Sequence, residues 1–126
     1  MLKIKETLNT PCIDFNSNGE MEIKGRSIPE DARTFYEPVL KWAENYSQSP
    51  AMKTIVKVKL DYFNTSSSIC LLDIFKAFER LSKNGHDVAI NWYYEEDDED
   101  IIEAGGDYDC ILRLNFSLIK NETGNG

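Results

Sequence analysis

The chain has 126 residues, the size of one domain, and 41% of them are apolar and 29% charged, as in an ordinary globular protein. No apolar run approaches the roughly 18 residues of a membrane helix, and the first residues lack the apolar core of a secretory signal, so we expect a cytoplasmic protein without membrane insertion. The net charge of −8 argues against nucleic acid as a partner, because affinity for phosphates comes from Lys and Arg.

The first third of the chain predicts strands followed by a helix. Residues 2–26 alternate as paired strands do, with a turn at 17–20. The apolar residues that would share one face are Ile13, Phe15, Met21 and Ile23. Residues 27–31 are typical of a helix start, because Pro29 and two acids suit the first turn. Helical spacing then continues to Tyr46, and Pro38 within it predicts a kink or two joined pieces.

The middle of the chain predicts a strand over 52–63, a helix over 66–83 and a strand over 87–94. The connection is too long for a hairpin, so 52–94 should form a parallel βαβ unit. A short acidic helix over 97–104, stopped by Gly105-Gly106, and a last strand over 111–119 follow. We therefore expect one α/β domain over 1–120, a mixed sheet with helices packed on it, and a frayed tail over 121–126.

Most of the acidity is local. Nine acids and no base lie between Glu95 and Asp109, and without them the chain has 13 acids against 14 bases. A calcium loop needs oxygens at set positions, and from Asp98 the fifth position is Ile102, so that pattern fails. The three cysteines have spacings that match no metal motif. We expect no metal and no cofactor, and the acidic run is either a solvated face or a contact for a basic partner.

Five small polar residues, Asn64 to Ser68, join the predicted strand to the predicted helix. Capping the helix requires only one of them. The others would lie at the carboxyl edge of the sheet, where open α/β folds place their sites. From the residues alone, capping and a functional hydroxyl both remain open.

Two blocks of sequence resemble the SiaC family of bacterial regulatory phosphoproteins. They are Leu60-Asp-Tyr-Phe-Asn-Thr-Ser-Ser, with the following Leu71-Leu-Asp-Ile-Phe, and Trp92-Tyr-Tyr-Glu-Glu-Asp-Asp, with Ile102-Glu-Ala-Gly. The resemblance covers Ile13 to Ile119 and implies a fold similar to anti-sigma-factor-antagonist (STAS) domains. Those domains carry a phosphorylated serine in an Asp-Ser-Ser-Gly sequence, and alignment places Thr65 at that position and Ser67 at the glycine.

The resemblance implies a non-enzymatic partner switch without catalytic residues. A cognate serine/threonine protein kinase would phosphorylate Thr65, and a PP2C-type phosphatase would reset it. The unmodified form would bind a target such as a diguanylate cyclase, and thereby control cyclic-di-GMP and biofilm formation. The phosphosite loop would comprise Asp61, Asn64, Ser66 and Ser67, with Asp61 orienting the hydroxyl. Because the parallel strands ending at Phe63 and Tyr94 share one edge, we expect the acidic run to lie near Thr65 and to form part of the partner-binding edge. Its residues are Glu95, Glu96, Asp97, Asp98, Glu99 and Asp100.

Two other functions stay open on the sequence. A small metal-dependent hydrolase could use the hydroxyls of 65–68 with the acidic run, although no general base or ligand set is evident. A structural subunit without a switch would leave the same hydroxyls as helix caps.

Overall fold

The computed structural model describes residues 1–122, which form a six-stranded sheet and three helices. The elements in chain order are β1 (Leu2–Ile4), β2 (Cys12–Phe15), β3 (Glu20–Ser27), α1 (Ala32–Tyr46), β4 (Lys53–Phe63), α2 (Thr65–Lys83), β5 (Asp87–Tyr94), α3 (Glu99–Ile111) and β6 (Asn115–Lys120). The predicted α/β class with a mixed sheet is confirmed.

Each strand of the sheet pairs with the strand that precedes it in the chain. The first three strands are antiparallel, whereas β3 to β6 are parallel and are connected through α1, α2 and α3. Right-handed crossovers that all step in one direction place the three helices on one face. The predicted βαβ unit is confirmed as β4, α2 and β5.

The core lies between the sheet and the three helices. In β4, Val56 and Val58 are buried, whereas Lys57 between them and Lys53 before them are exposed on the other face. This alternation is the period of a sheet that is covered on one side. The four apolar residues predicted to share a face are all buried: Ile13, Phe15, Met21 and Ile23.

Helix α1 begins later than the sequence predicts and is one continuous helix. Its N-cap is Asp31, whose Oδ1 accepts from the backbone N of Thr34 at 3.2 Å. The hydrogen bond from the Thr34 hydroxyl lowers the pKa of the Asp31 carboxyl. Pro38 lies inside the helix, so the expectation of two joined pieces is wrong. Burial of one face, which includes Val39 and Ala43, keeps the helix continuous at a residue without an N–H group.

Helix α3 continues through Gly105 and Gly106, so the predicted helix stop is wrong. A Cβ on Gly105 would lie 2.5 Å from Cδ1 of Trp92, which means that this glycine allows α3 to contact the indole ring. The same indole donates from Nε1 to the Ile101 carbonyl at 2.9 Å. Because α3 extends to Ile111, the last strand begins at Asn115, four residues later than predicted.

The start of the expected frayed tail is tied to the sheet. The backbone N of Asn121 donates to the carbonyl of Tyr94 at 2.8 Å. Asn121, the first residue of the predicted tail, is thus hydrogen-bonded to the end of β5. The remainder of the predicted tail, 123–126, lies outside the described residues.

Candidate functional site

The site predicted around Thr65 lies where β4 ends and α2 begins. Asn64 is the N-cap of α2, and its Oδ1 accepts from the backbone N of Ser67 at 2.9 Å. Its own backbone N donates to the carbonyl of Ser27 at 3.0 Å. Thr65 is the first residue of the helix, and its side chain is exposed. Because Asn64 caps the helix, the Thr65 hydroxyl is not needed for capping.

Ser67 belongs to a buried network of three hydroxyl groups. Its Oγ donates to the Ser27 carbonyl at 3.1 Å and accepts from the Ser27 Oγ at 2.8 Å. The Ser27 Oγ also lies 2.5 Å from the Tyr36 hydroxyl. Because Ser27 donates its own proton to Ser67, the Tyr36 hydroxyl is the donor to Ser27. Burial raises the pKa of Tyr36 to about 12, so the tyrosine keeps its proton at neutral pH. The network joins β3, α1 and α2, and it makes Ser67 inaccessible to an enzyme.

The hydroxyls of Thr65, Ser66 and Ser68 differ in their surroundings. Ser66 lines a groove with Asp31 and Arg33 at the start of α1. Thr65 is one helical turn before Ile69, and residues four apart lie on the same helix face. Ser68 is half-buried, and its Oγ donates to the carbonyl of Thr65 at 2.6 Å. Thr65 thus carries an exposed hydroxyl that makes no hydrogen bond within residues 1–122.

Asp61 lies near the acidic run rather than at the Thr65 hydroxyl. It lines a cavity of about 320 Å³ whose other charged lining residues include Glu95, Asp98, Lys24 and Lys59. Among the described residues no hydrogen bond joins Asp61 to Thr65. The carboxyl ends of β4 and β5 do meet at one edge, because the two strands are parallel. The predicted orienting role of Asp61 has no contact to support it.

The structure gives local roles to several acids of the predicted partner-binding edge. Asp98 is the N-cap of α3, with its Oδ1 accepting from the backbone N of Ile101 at 3.1 Å. Glu95 accepts from the Asn121 side chain at 2.7 Å. Glu96 pairs with Lys120 at 3.0 Å, and this hydrogen bond raises the pKa of the lysine. The start of α3 therefore accounts for part of the acidic run.

Glu99 and Asp100 occupy the first turn of α3, where the positive end of the helix dipole favours acids. Asp97 precedes them and is exposed. Within residues 1–122 no three His, Cys, Asp or Glu side chains are grouped so that they could hold a metal ion. Over the same range, no helix combines the length and apolar character required to cross a membrane.

Sequence reasoning missed Ser27, Tyr36 and Tyr108. The Tyr108 hydroxyl donates to the carbonyl of Ser68 at 2.7 Å and so ties α3 to the first turn of α2. Burial raises the pKa of this tyrosine. No pattern in the sequence signals these contacts, since the partners of Ser67 and Ser68 are 40 residues away in each case.

The chain is similar to known proteins in sequence and in fold. The sequence profile of a family described as SiaC family regulatory phosphoprotein matches residues 4–121. The protein PA14_02130 of Pseudomonas aeruginosa (strain UCBPP-PA14) is 28% identical over 112 residues, which cover 86% of this chain and 89% of that protein.

Two solved structures share the fold. One is a chain in the crystal structure of the P. aeruginosa diguanylate cyclase SiaD in complex with its activator SiaC, with a TM-score of 0.90, 24% identity and coverage of 96% of this chain and 100% of that chain. The other is apo-SiaC of P. aeruginosa, with a TM-score of 0.85, 25% identity and coverage of 94% and 97%.

The fold and these matches define the class as regulatory phosphoproteins built on a mixed α/β sheet. The chain belongs to the SiaC family, as the resemblance in its sequence predicts.

Proposed function

We propose that this chain is a non-enzymatic, cytoplasmic partner-switch protein whose unmodified form binds and controls a target protein. A cognate kinase phosphorylates Thr65, and a PP2C-type phosphatase removes the phosphate. The observation that carries the proposal is the exposure of Thr65 at the start of α2 while Asn64 performs the capping. Modification of Thr65 therefore changes the surface without removing a cap.

The target that we propose is a diguanylate cyclase, so that the switch controls cyclic-di-GMP and biofilm formation. The support is the fold shared with SiaC, which activates the cyclase SiaD in P. aeruginosa. A phosphate on Thr65 adds a charge of about −1.5 to −2. The free N–H groups of the first helical turn tolerate such a group. The modification can thus block a partner without unfolding the domain.

The phosphorylation site is tested on protein isolated from its native host. Mass spectrometry before and after treatment with a PP2C-type phosphatase should find one labile phosphate, on Thr65. Ser66 is the matched competitor, because it is exposed in the same helical turn. Phosphate chiefly on Ser66, or no phosphate under any growth condition, would contradict the proposed switch.

The target is tested with diguanylate cyclases purified from the same host. Unmodified protein should bind one of them and change its rate of cyclic-di-GMP synthesis. Protein carrying phosphothreonine at position 65 should bind it about tenfold more weakly or worse, and Thr65→Ala should bind like the unmodified protein. If the modified and unmodified proteins act equally on every cyclase, the proposed control by Thr65 is wrong.

We also propose that Asp97, Glu99 and Asp100 accelerate association with a basic surface on the kinase or the target. Their replacement by Asn or Gln should lower the association rate and flatten its dependence on salt, because exposed charges are screened within about 10 Å at 0.1 M salt. Asp98 is left unchanged, because it caps α3. Surface plasmon resonance at two ionic strengths measures the rate, and an unchanged rate at both would identify a solvated face.

A further inference from the structure

The first turn of α2 is tied to the end of β3 through Ser27. The Ser27 carbonyl accepts two hydrogen bonds, from the backbone N of Asn64 at 3.0 Å and from the Ser67 Oγ at 3.1 Å. The Ser27 Oγ donates to the Ser67 Oγ at 2.8 Å. Asn64 and Ser67 flank Thr65 and Ser66 in the sequence. Both exposed hydroxyls of the junction therefore lie between two residues that β3 holds in place.

The Ser67 hydroxyl does not serve as a helix cap. Asn64 caps α2, and the partners of the Ser67 Oγ belong to β3, 40 residues away. Ser27 and Ser67 are both 0% exposed. A buried hydroxyl pair adds little net stability, since it replaces hydrogen bonds to water, but it fixes the geometry of the groups that it joins. The pair therefore sets where the first turn of α2 lies on the sheet.

The position of this turn decides which hydroxyl is presented to an enzyme. Thr65 and Ser66 are adjacent and exposed, and successive residues of a helix point about 100° apart. The Thr65 hydroxyl makes no hydrogen bond within residues 1–122, so its position depends on the backbone around it. An enzyme that approaches from one direction selects one of the two hydroxyls only if the turn keeps its rotation about the helix axis.

Phosphoryl transfer is especially sensitive to such placement. The Thr65 Oγ1 forms a bond to the γ-phosphorus of a nucleoside triphosphate, the bond from that phosphorus to the bridging oxygen breaks, and the hydroxyl proton passes to a base. Catalysis of this step consists almost entirely of positioning and charge stabilisation. A displacement of about 1 Å can lower the rate about 100-fold.

We propose that Ser27 and Ser67 are positioning residues for phosphorylation, which hold the first turn of α2 so that the kinase meets Thr65 rather than Ser66. This inference rests on the proposed function and deepens it. It assigns the choice between two adjacent hydroxyls to a buried pair that touches neither of them.

Two substitutions loosen the turn to different extents. Ser67→Ala removes the hydroxyl that joins α2 to β3, but it keeps the Asn64 cap and the bond from the Asn64 backbone N to Ser27. Tyr36→Phe removes only the donor to the Ser27 Oγ and leaves both bonds between Ser27 and Ser67. We therefore expect the larger effect from Ser67→Ala.

A second buried hydroxyl pair supplies the matched control. The Tyr46 hydroxyl lies 2.7 Å from the Thr54 Oγ1 and joins α1 to the start of β4. Thr54 is 1% exposed and lies nine residues before the end of β4 at Phe63, a distance of about 30 Å along the strand. Thr54→Val thus removes a buried hydroxyl of the same kind, far from the first turn of α2.

The first test measures the turn itself, without a kinase. The backbone N of Ser68 donates to the Asn64 carbonyl at 3.1 Å, so its amide reports on the first turn. Hydrogen exchange followed by NMR on the full chain should show that this amide exchanges at least about tenfold faster in Ser67→Ala than in Thr54→Val, relative to the buried Val56 amide in each variant. Equal protection of Ser68 in the two variants overturns the inference.

The second test measures the choice of hydroxyl. Each variant is expressed from its own gene in the native host, and mass spectrometry quantifies phosphate on Thr65 and on Ser66. Ser67→Ala should raise the share of phosphate on Ser66 at least about tenfold, Tyr36→Phe should raise it less, and Thr54→Val should leave it unchanged. If Ser67→Ala and Thr54→Val lower total phosphate equally and keep the same share on Ser66, the pair is merely structural and the inference is wrong.

The two tests distinguish failure of this inference from failure of the proposed function. If the Ser68 amide loses protection in Ser67→Ala but Thr65 still receives the phosphate as before, the positioning role is wrong and the switch stands. If the unsubstituted protein carries no phosphate on Thr65, the switch is wrong, and the positioning role is overturned with it.

Discussion

Two adjacent glycines of α3 have opposite surroundings, and this contrast gives the sharpest test of the packing. A Cβ on Gly105 would lie 2.5 Å from Cδ1 and 2.6 Å from Nε1 of Trp92, whereas a Cβ on Gly106 would meet nothing within 4 Å. Trp92 is buried, and its Nε1 is bonded to the Ile101 carbonyl. The ring therefore has no room to move away. We predict that Gly105→Ala destabilises the protein and that Gly106→Ala stabilises it.

The magnitudes follow from contact distances and helix propensity. Carbon atoms pack at about 3.5–4.0 Å, so Gly105→Ala forces a displacement of about 1 Å between α3 and the ring. Overpacking of a buried site costs about 1–3 kcal/mol. At Gly106 alanine restricts the unfolded chain without a clash, which is worth about 0.5–1 kcal/mol. The two variants should differ in free energy of unfolding by about 1.5–4 kcal/mol.

Urea unfolding at 25 °C, followed by tryptophan fluorescence, measures both variants against the unsubstituted protein. Thermal melts give a second measurement, because 1 kcal/mol corresponds to about 4 °C in a domain of this size. If Gly105→Ala is as stable as Gly106→Ala, the close contact with Trp92 does not constrain α3, and our explanation of the longer helix is wrong.

Three further predictions concern the caps and the buried hydroxyls. Asn64→Ala should lower the free energy of unfolding by about 0.5–2 kcal/mol, and Thr65→Ala by clearly less, in paired urea titrations; equal losses would assign a structural role to Thr65. Asp98→Ala should show a similar loss, whereas Asp98→Asn should melt like the unsubstituted protein, because Asn also caps helices. Tyr36 keeps its proton in the folded state to a pKa of about 12, so stability should fall as pH rises above about 10, where the unfolded tyrosine ionises. In urea titrations from pH 9 to 11, Tyr36→Phe should reduce the slope of the free energy of unfolding against pH by up to about 1.4 kcal/mol per pH unit. An unchanged slope would contradict burial of Tyr36 as the cause.

The sequence predicts those elements whose pattern is local. The unit of β4, α2 and β5 follows from apolar periodicity and from a connection too long for a hairpin, and the structure has it within one residue at each end. The N-terminal strands follow from alternation around a glycine turn. Gly19 has φ +101°, a conformation that favours glycine.

The errors occur where distant packing decides the structure. Gly105 and Gly106 are typical of a helix stop, yet Gly105 is required for contact with a tryptophan in another element. Pro38 predicts a kink or two joined pieces, yet α1 is one helix with a buried face. In both cases the local preference is worth a few kcal/mol or less and tertiary packing exceeds it.

The candidate site was only partly predictable. The polar residues indicate the junction from Asn64 to Ser68, and only the resemblance selects Thr65 within it, whereas Asn64 is an ordinary capping residue. The burial of Ser67 and the capping role of Asp98 could not be predicted. The first depends on the position of Ser27 in the folded chain, and the second on where α3 begins. The contact between Tyr108 and the Ser68 carbonyl also has no signature in the sequence, because the two residues come from separate helices.

The strand order has a consequence for folding during synthesis. Each strand joins the sheet beside the one made just before it, so the sheet can grow in the direction in which the ribosome releases the chain. Such a topology keeps the distance in sequence between contacting elements short, which favours rapid folding. Helix α3 and β6 join last. A nascent chain would therefore already contain Thr65 and the start of α2 before it contains Tyr108, the residue of α3 that is bonded to the first turn of α2.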